Sequence, residues 1–356
     1  MKLSQEESIH YPVLLFITML SMSIARLQGV LLGSVGRNGI WVILSVWIVA
    51  QAGLWCCLQV GRRYGSLLLI SGPDLTALQR LLFFFYALFF LNVCSFMNQV
   101  FGDFISKMLL NGSSAFYISV ETVLATASAM FSLKTLARYA HILLLFAVPF
   151  FLALSFSPIL NFRVDRLLPL WSMEEILQPY QAIGAAFLAF SPLAAIPLIH
   201  AGRKQVSGKS VMLLSFLVVA LIVFILMAGI ATYGIQRARE FVYLPYGTMN
   251  AVRIENFVFE RIVFLWVLYW KYIESLGTAF MLRCGARCMA GLFGRRIGPL
   301  WVIAAGALVL LGGRLTARPI LFDLYGVAIG YYSLVLVLIL PILLYLRMKW
   351  KERTPA

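Results

Sequence analysis

The chain has 356 residues, 62% hydrophobic and 12% charged, with a mean hydropathy of +0.91. Soluble domains carry about 25% charged residues, so the composition excludes a soluble protein and predicts an integral membrane protein of many spans. The net charge of +15 has no soluble face to occupy, which argues against a nucleic-acid partner; it fits loop Lys and Arg drawn to an anionic leaflet, with membrane lipid as the partner.

Apolar runs near the ~20 residues that cross the hydrocarbon core fall at ten places: 11–32, 40–60, 78–102, 115–133, 139–159, 179–200, 211–233, 256–280, 299–313 and 324–346. Each is expected to be a helix, because an open sheet cannot satisfy its backbone in lipid. The N-terminus carries Lys2, Glu6 and Glu7 rather than a basic leader region, so the first span is expected to stay in the protein.

The first span is the anomalous one. After Val13–Leu20 comes Ser21-Met-Ser-Ile-Ala-Arg-Leu-Gln-Gly29, which sets Ser21, Ser23, Arg26 and Gln28 at bilayer depth. A charge there costs at least ~2.5 kcal/mol, so a broken helix lining a solute site is expected. Arg26 has two readings: it holds a ligand carboxylate by paired hydrogen bonds, or it snorkels to the headgroups.

Further along, Asn92, Asn98, Gln99 and Asp103 of the third span are read as interhelical hydrogen-bonding groups. Glu121 lies too deep in the fourth span for an easily solvated carboxylate and is expected to be paired or protonated. Two longer outer loops, Asn161–Gln178 with Trp171 and Gly234–Glu255 with Leu244-Pro-Tyr-Gly, are each expected to form a short interfacial helix capping the outer mouth.

The sixth span carries Gly184, Ser191, Pro192 and Pro197, and proline removes a backbone donor; a second break is expected there, freeing the Phe187 and Phe190 carbonyls. In the eighth span Glu260 and Arg261 are read as interfacial. Lys271 and Glu274, three apart on one face and read as past the centre of the span, form a local salt bridge or line an ion pathway with Glu121.

Ten spans divide into five plus five. Five is odd, so a second half that repeats the first enters from the opposite side, the inverted-repeat plan of many transporters, with the first helix of each half discontinuous. The expected fold is thus an all-α transmembrane domain over residues 1–356, with pseudo-repeats 11–160 and 179–346 and discontinuous helices 1 and 6.

Lys and Arg set the orientation. Lys2, Arg62, Arg63, Lys134, Arg138, Arg203, Lys204, Lys209, Arg283, Arg287, Arg295, Arg296 and the basic tail share one side and outnumber those of the other, so both termini are expected in the cytoplasm. The cysteines (Cys56, Cys57, Cys94, Cys284, Cys288) are odd in number and scattered, which fits reduced thiols. Only His10, His141 and His200 accompany them, all remote, so no metal or other cofactor is expected. No nucleophile–base pairing points to an enzyme.

The order of several short motifs resembles the permease-like B subunit of bacterial spore germinant receptors, within the amino acid–polyamine–organocation transporter superfamily. These are Asn38-Gly-Ile-Trp41, Leu136-Ala-Arg138, Asp165-Arg-Leu-Leu-Pro-Leu-Trp171, Pro197, and Phe259-Glu-Arg-Ile262 followed by Trp270. The resemblance covers residues 10–275; beyond 280 only hydropathy matches. It implies a five-plus-five fold and a subunit that senses a small nutrient (amino acid, sugar or nucleoside) in the spore inner membrane. It also implies an A-type membrane subunit and a C-type lipoprotein subunit as partners.

Two departures stand out: Ser21-Met-Ser23 with Arg26 replaces a glycine-led break, and Phe190-Ser191-Pro192 replaces a mid-span glutamate. The candidate ligand residues are Ser21, Ser23, Arg26, Phe187, Phe190 and Ser191, and the candidate ion or coupling residues are Glu121, Lys271 and Glu274. The alternative reading is a secondary active transporter for amino acids or polyamines.

Overall fold

The computed structural model describes residues 3–24, 26–64, 76–110, 112–199, 206–252, 263–315 and 319–353; among them every regular element is helical. In chain order the helices are α1 (Leu3–Ile24), α2 (Leu27–Val35), α3 (Gly39–Tyr64), α4 (Ala77–Ile105), α5 (Ser114–Ala129), α6 (Leu133–Phe156), α7 (Pro179–Ala189) and α8 (Ile196–Ile199). They continue with α9 (Gly208–Tyr233), α10 (Ile235–Ala238), α11 (Leu244–Asn250), α12 (Val263–Leu292), α13 (Pro299–Leu315), α14 (Pro319–Leu334) and α15 (Leu340–Arg353).

Among the described residues, five helical stretches are long and apolar enough to cross a membrane: Leu27–Arg62, Ala77–Leu109, Leu133–Asn161, Gly208–Tyr233 and Leu324–Trp350. Pro179–Ala189 and Ser191–Ile199 pass the same test only as a pair, bent by 49°. Large apolar side chains stand exposed around the outside, among them Phe84, Val123, Leu145, Phe146, Leu213, Phe264 and Leu311. On a soluble protein such a belt would be a large exposed patch; here it is the surface that faces lipid.

The helix around which the others pack is the polar one. α12 carries Lys271, Glu274, Arg283 and Arg287, yet contacts α1, α4, α5, α6 and α13. Helices that carry charge turn it inward in lipid. Its largest buried side chains are Trp266 and Trp270; Trp266 Nε1 donates to Ser155 Oγ at 2.9 Å. The sequence places the end of this span near residue 280, but the helix runs on to Leu292. The half-buried Arg283 and Arg287 and the buried Cys284 and Cys288 therefore belong to a helix, not to a loop. The helix continues because the two guanidinium groups find carbonyl partners on neighbouring segments, described below.

Small residues set the closest helix contacts, as is usual where lipid supplies no hydrophobic drive between helices. A Cβ at Gly330 of α14 would fall on the carbonyl of Gly184 in α7, and one at Gly53 of α3 on the Val337 carbonyl. Val337 lies in the wide π-turn Val335–Ile339 that precedes Pro341.

Both loop expectations need correction. Asn161–Gln178 forms no amphipathic helix, only short 3-10 turns at Ser157–Asn161, Val164–Leu167 and Met173–Glu175. Its backbone bonds go instead to the α2–α3 junction: Leu177 and Gln178 N–H donate to Ser34 O at 2.9 and 2.8 Å, and Asn38 exchanges two bonds with Ser172. The second loop does form helices, but α11 is buried rather than interfacial, with Leu244, Pro245, Thr248 and Met249 all inside. The Phe259–Ile262 motif, with Glu260 and Arg261, lies outside the described residues, as do His200, Arg203 and Lys204.

Candidate functional site

The first span breaks where its polar stretch predicts. α1 ends at Ile24 and α2 begins at Leu27, with Arg26 at φ −113° and ψ −12°. Ending α1 there leaves the Ser23 carbonyl without its helical donor, and Gln28 Nε2 supplies one at 2.7 Å. Ser23 Oγ turns back to Met19 O at 2.5 Å. Gln28 therefore stabilises the break, a role its residue type alone did not reveal.

The second break is tighter. α7 stops at Ala189, Phe190 takes φ −96° and ψ 5°, and a 3-10 turn covers Ser191–Ala195, with Pro192 in its first turn. The Phe187 and Phe190 carbonyls, expected to be free, accept from Phe190 N and Leu193 N at 3.0 Å each. The narrower 3-10 pairing, three residues apart rather than four, supplies both carbonyls with donors. Ser191 Oγ is buried with no hydrogen-bond partner.

A narrow cavity of about 40 Å³ opens beside the first break. Ser21, Met22, Arg26, Leu27 and Val30 form one wall; Phe96, Met97, Val100 and Phe101 of α4 form another. Ala185 and Leu188 of α7, Trp270 and Glu274 of α12, and Gly326 and Val327 of α14 complete it. Of the predicted ligand residues, Ser21 and Arg26 border this cavity. Ser23, Phe187, Phe190 and Ser191 are buried beside it and do not line it. Ser21 Oγ and Trp270 Nε1 are both buried without a partner. The α4 and α14 walls were not anticipated: their side chains are apolar and look like any packing residue until the helices are assembled.

A second cavity, of about 280 Å³, shares Arg26 and Val30 with the first and is otherwise lined by Gly29, Gly33, Ser34, Gln181 and the segment 239–242. Arg26 therefore stands between the two, with its guanidinium carbon 6.0 Å from the Tyr243 ring centre. The 239–242 segment presses on the break: a Cβ at Gly29 would lie 2.7 Å from the Phe241 and Val242 carbonyl oxygens.

The three candidate ion residues come together. Lys271 Nζ donates to Glu121 Oε2 and, at 2.9 Å, to Glu274 Oε2; it also sits 4.3 Å from the Phe101 ring centre. Glu274 Oε1 accepts from Thr278 Oγ1 at 2.6 Å. Two carboxylates thus share one ammonium, and of the three residues Glu274 lines the cavity. Lys271, read from sequence as past the centre of its span, lies in a helix that runs on to Leu292, beyond the predicted end.

The polar residues of the third span bridge helices. Asn98 Nδ2 donates to Thr122 Oγ1 at 2.9 Å, Gln99 Nε2 to Gly313 O at 2.9 Å, and Tyr325 OH to Asn92 Oδ1 at 2.7 Å. At the α2–α3 junction, Glu175 lies 3.4 Å from Arg37 and 3.6 Å from Arg239. Trp41 Nε1 donates to Leu170 O at 3.3 Å, so two of the short sequence motifs meet in space.

An apolar-sheathed helical bundle with a broken helix beside a partly polar cavity defines an all-α membrane protein. The chain belongs to the spore permease family, described as spore germination protein, whose model matches residues 7–318. No curated protein matches it.

Proposed function

We propose that this chain is the nutrient-sensing, permease-like subunit of a bacterial spore germinant receptor. In this reading it spans the spore inner membrane ten times as a five-plus-five inverted repeat, with both termini in the cytoplasm. It assembles with an A-type membrane subunit and a C-type lipoprotein subunit. A small nutrient (amino acid, sugar or nucleoside) binds at the break in the first span, and its differential affinity for two states shifts their populations.

The observation that carries the reading is the pair of unpartnered polar groups at the cavity wall, Ser21 Oγ and Trp270 Nε1, beside Arg26 and Glu274. Buried polar atoms are nearly always paired in a native protein, and a bound solute would pair both. A water needs ~10–15 Å³, so the 40 Å³ cavity has room for only a few waters. Binding a nutrient requires the 239–242 segment and Arg26 to move outward, and this opening is the conformational change that partner subunits would sense. The Glu121–Lys271–Glu274 cluster is then the route or coupling site for a cation.

The test is direct binding to purified protein, alone and with both partner subunits, across a panel of amino acids, sugars and nucleosides, read by thermal shift and calorimetry. Binding that Ser21→Ala and Arg26→Gln both weaken supports the assignment; a panel that leaves every preparation unshifted refutes it. Solute uptake into vesicles by the chain alone would instead identify a secondary transporter for amino acids or polyamines. Lys271→Met at constant protein level, with an unchanged germination response, would remove the cluster from the mechanism.

A further inference from the structure

A third cavity lies beside the end of α12 and plays no part in the reading above. It measures about 440 Å³ and is lined by Arg283, Arg287, Arg295 and Arg296, with Tyr11 and Phe83 among its other walls. Among the described residues, every charged one that lines it is an arginine. Among the described residues, none of these four arginines forms an ion pair with a carboxylate.

The arrangement is built rather than incidental. Arg283 and Arg287 are one turn apart on α12 and share a face, a spacing at which like charges destabilise a helix. Both are held from a second element: Arg283 Nη1 donates to Ala129 O at 2.6 Å, and Arg287 Nη1 to Leu198 O at 3.2 Å. At the end of α12 the chain turns through Gly294, whose φ is 65°, and Arg295 N–H closes on Ala290 O at 2.9 Å. This left-handed cap folds Arg295 and Arg296 back over the same mouth. At Gly291 a Cβ would lie 2.6 Å from the Phe83 ring, so the missing side chain leaves that ring its place in the cavity wall.

The half-buried Arg283 and Arg287, with the exposed Arg295 and Arg296 beside them, gather without a counter-charge among the described residues. Charge drawn away from water without a partner is costly, and planar guanidinium forks match phosphate oxygens in pairs. We propose that this cavity binds a phosphate-bearing anion, either the headgroup of an anionic phospholipid or a soluble phosphate. Basic pockets between helices are a known headgroup geometry, and the apolar Phe83 wall suits a headgroup that arrives with acyl chains.

The experiment uses the full chain in nanodiscs of pure phosphatidylcholine or of phosphatidylcholine mixed with phosphatidylglycerol, read by thermal unfolding and by lipid retained in native mass spectrometry. A parallel arm titrates inorganic phosphate and glycerol phosphate into the phosphatidylcholine discs. Phosphatidylglycerol is expected to raise the unfolding temperature and to be retained. Arg283→Gln with Arg287→Gln should weaken this about tenfold or more, the loss of at least one charge-assisted bond. Arg295→Gln with Arg296→Gln, at exposed positions, should weaken it as well, and keeps the test alive if the first pair fails to fold. A shift with soluble phosphate and none with the lipid assigns the site to a soluble anion. No shift in either arm, or shifts of equal size in the parent and in a folded variant, overturns the proposal.

Discussion

Replacing Lys271 by methionine keeps the length of the side chain and its contact with Phe101, but removes the cation that Glu121 and Glu274 share. The side chains of Lys271, Glu121 and Glu274 are 23%, 12% and 4% exposed. Breaking a buried ion pair by deleting one partner costs about 3–5 kcal/mol, because the other charge is left uncompensated. Lys271 keeps some contact with solvent, which screens part of the interaction, so the lower end applies, about 3 kcal/mol. Glu274 retains its bond from Thr278, so most of the loss falls on Glu121. Adding Glu121→Gln to Lys271→Met should then recover about half of the loss or more, as coupled neighbours do. The assay is thermal and denaturant unfolding of purified protein at neutral pH, for the parent, both single variants and the double variant. Lys271→Met within about 0.5 kcal/mol of the parent, the usual range for a free surface residue, would refute the cluster as a structural unit. So would a double variant no better than the single one.

Gln28→Leu strips the Ser23 carbonyl of its donor and should cost about 1–3 kcal/mol, with faster hydrogen exchange confined to the end of α1 and the start of α2. Gly36→Ala should destabilise by about 1–3 kcal/mol, because Gly36 has φ 58° and a Cβ there would meet the Glu175 carboxylate; equal unfolding midpoints for variant and parent would contradict this. Gly330→Val forces α14 away from the Gly184 carbonyl of α7, and the expected result is loss of the monodisperse folded peak in detergent, with Gly33→Val, which meets open space, as the tolerated control.

Much of the site was legible in the chain because lipid makes polar residues conspicuous. Ser21, Arg26, Glu121, Lys271 and Glu274 each interrupt an apolar run, and that signal located the break in the first span and the three members of the charged cluster. The break in the sixth span was equally visible from Pro192, but its consequence was misread. Proline type reports a missing donor; whether the carbonyls stay free depends on the local turn, and a 3-10 turn reclaims them. The two loops failed for a related reason. Composition cannot tell whether backbone groups of 161–178 pair within the segment or with Ser34 and Asn38, and amphipathicity cannot tell an interface from a crevice in which α11 is buried.

Residue type and hydropathy alone therefore settled that this is a helical membrane protein and that its first span breaks near Arg26, since bilayer physics acts on each residue through its own polarity. Tertiary structure decided what fills the space around that break. The Phe96, Met97, Phe101 and Val327 walls, the 239–242 segment over Gly29, and the four arginines around one cavity are brought together by helices distant in sequence. Partner choice across such distances depends on how small and large side chains fit, and no local pattern encodes it.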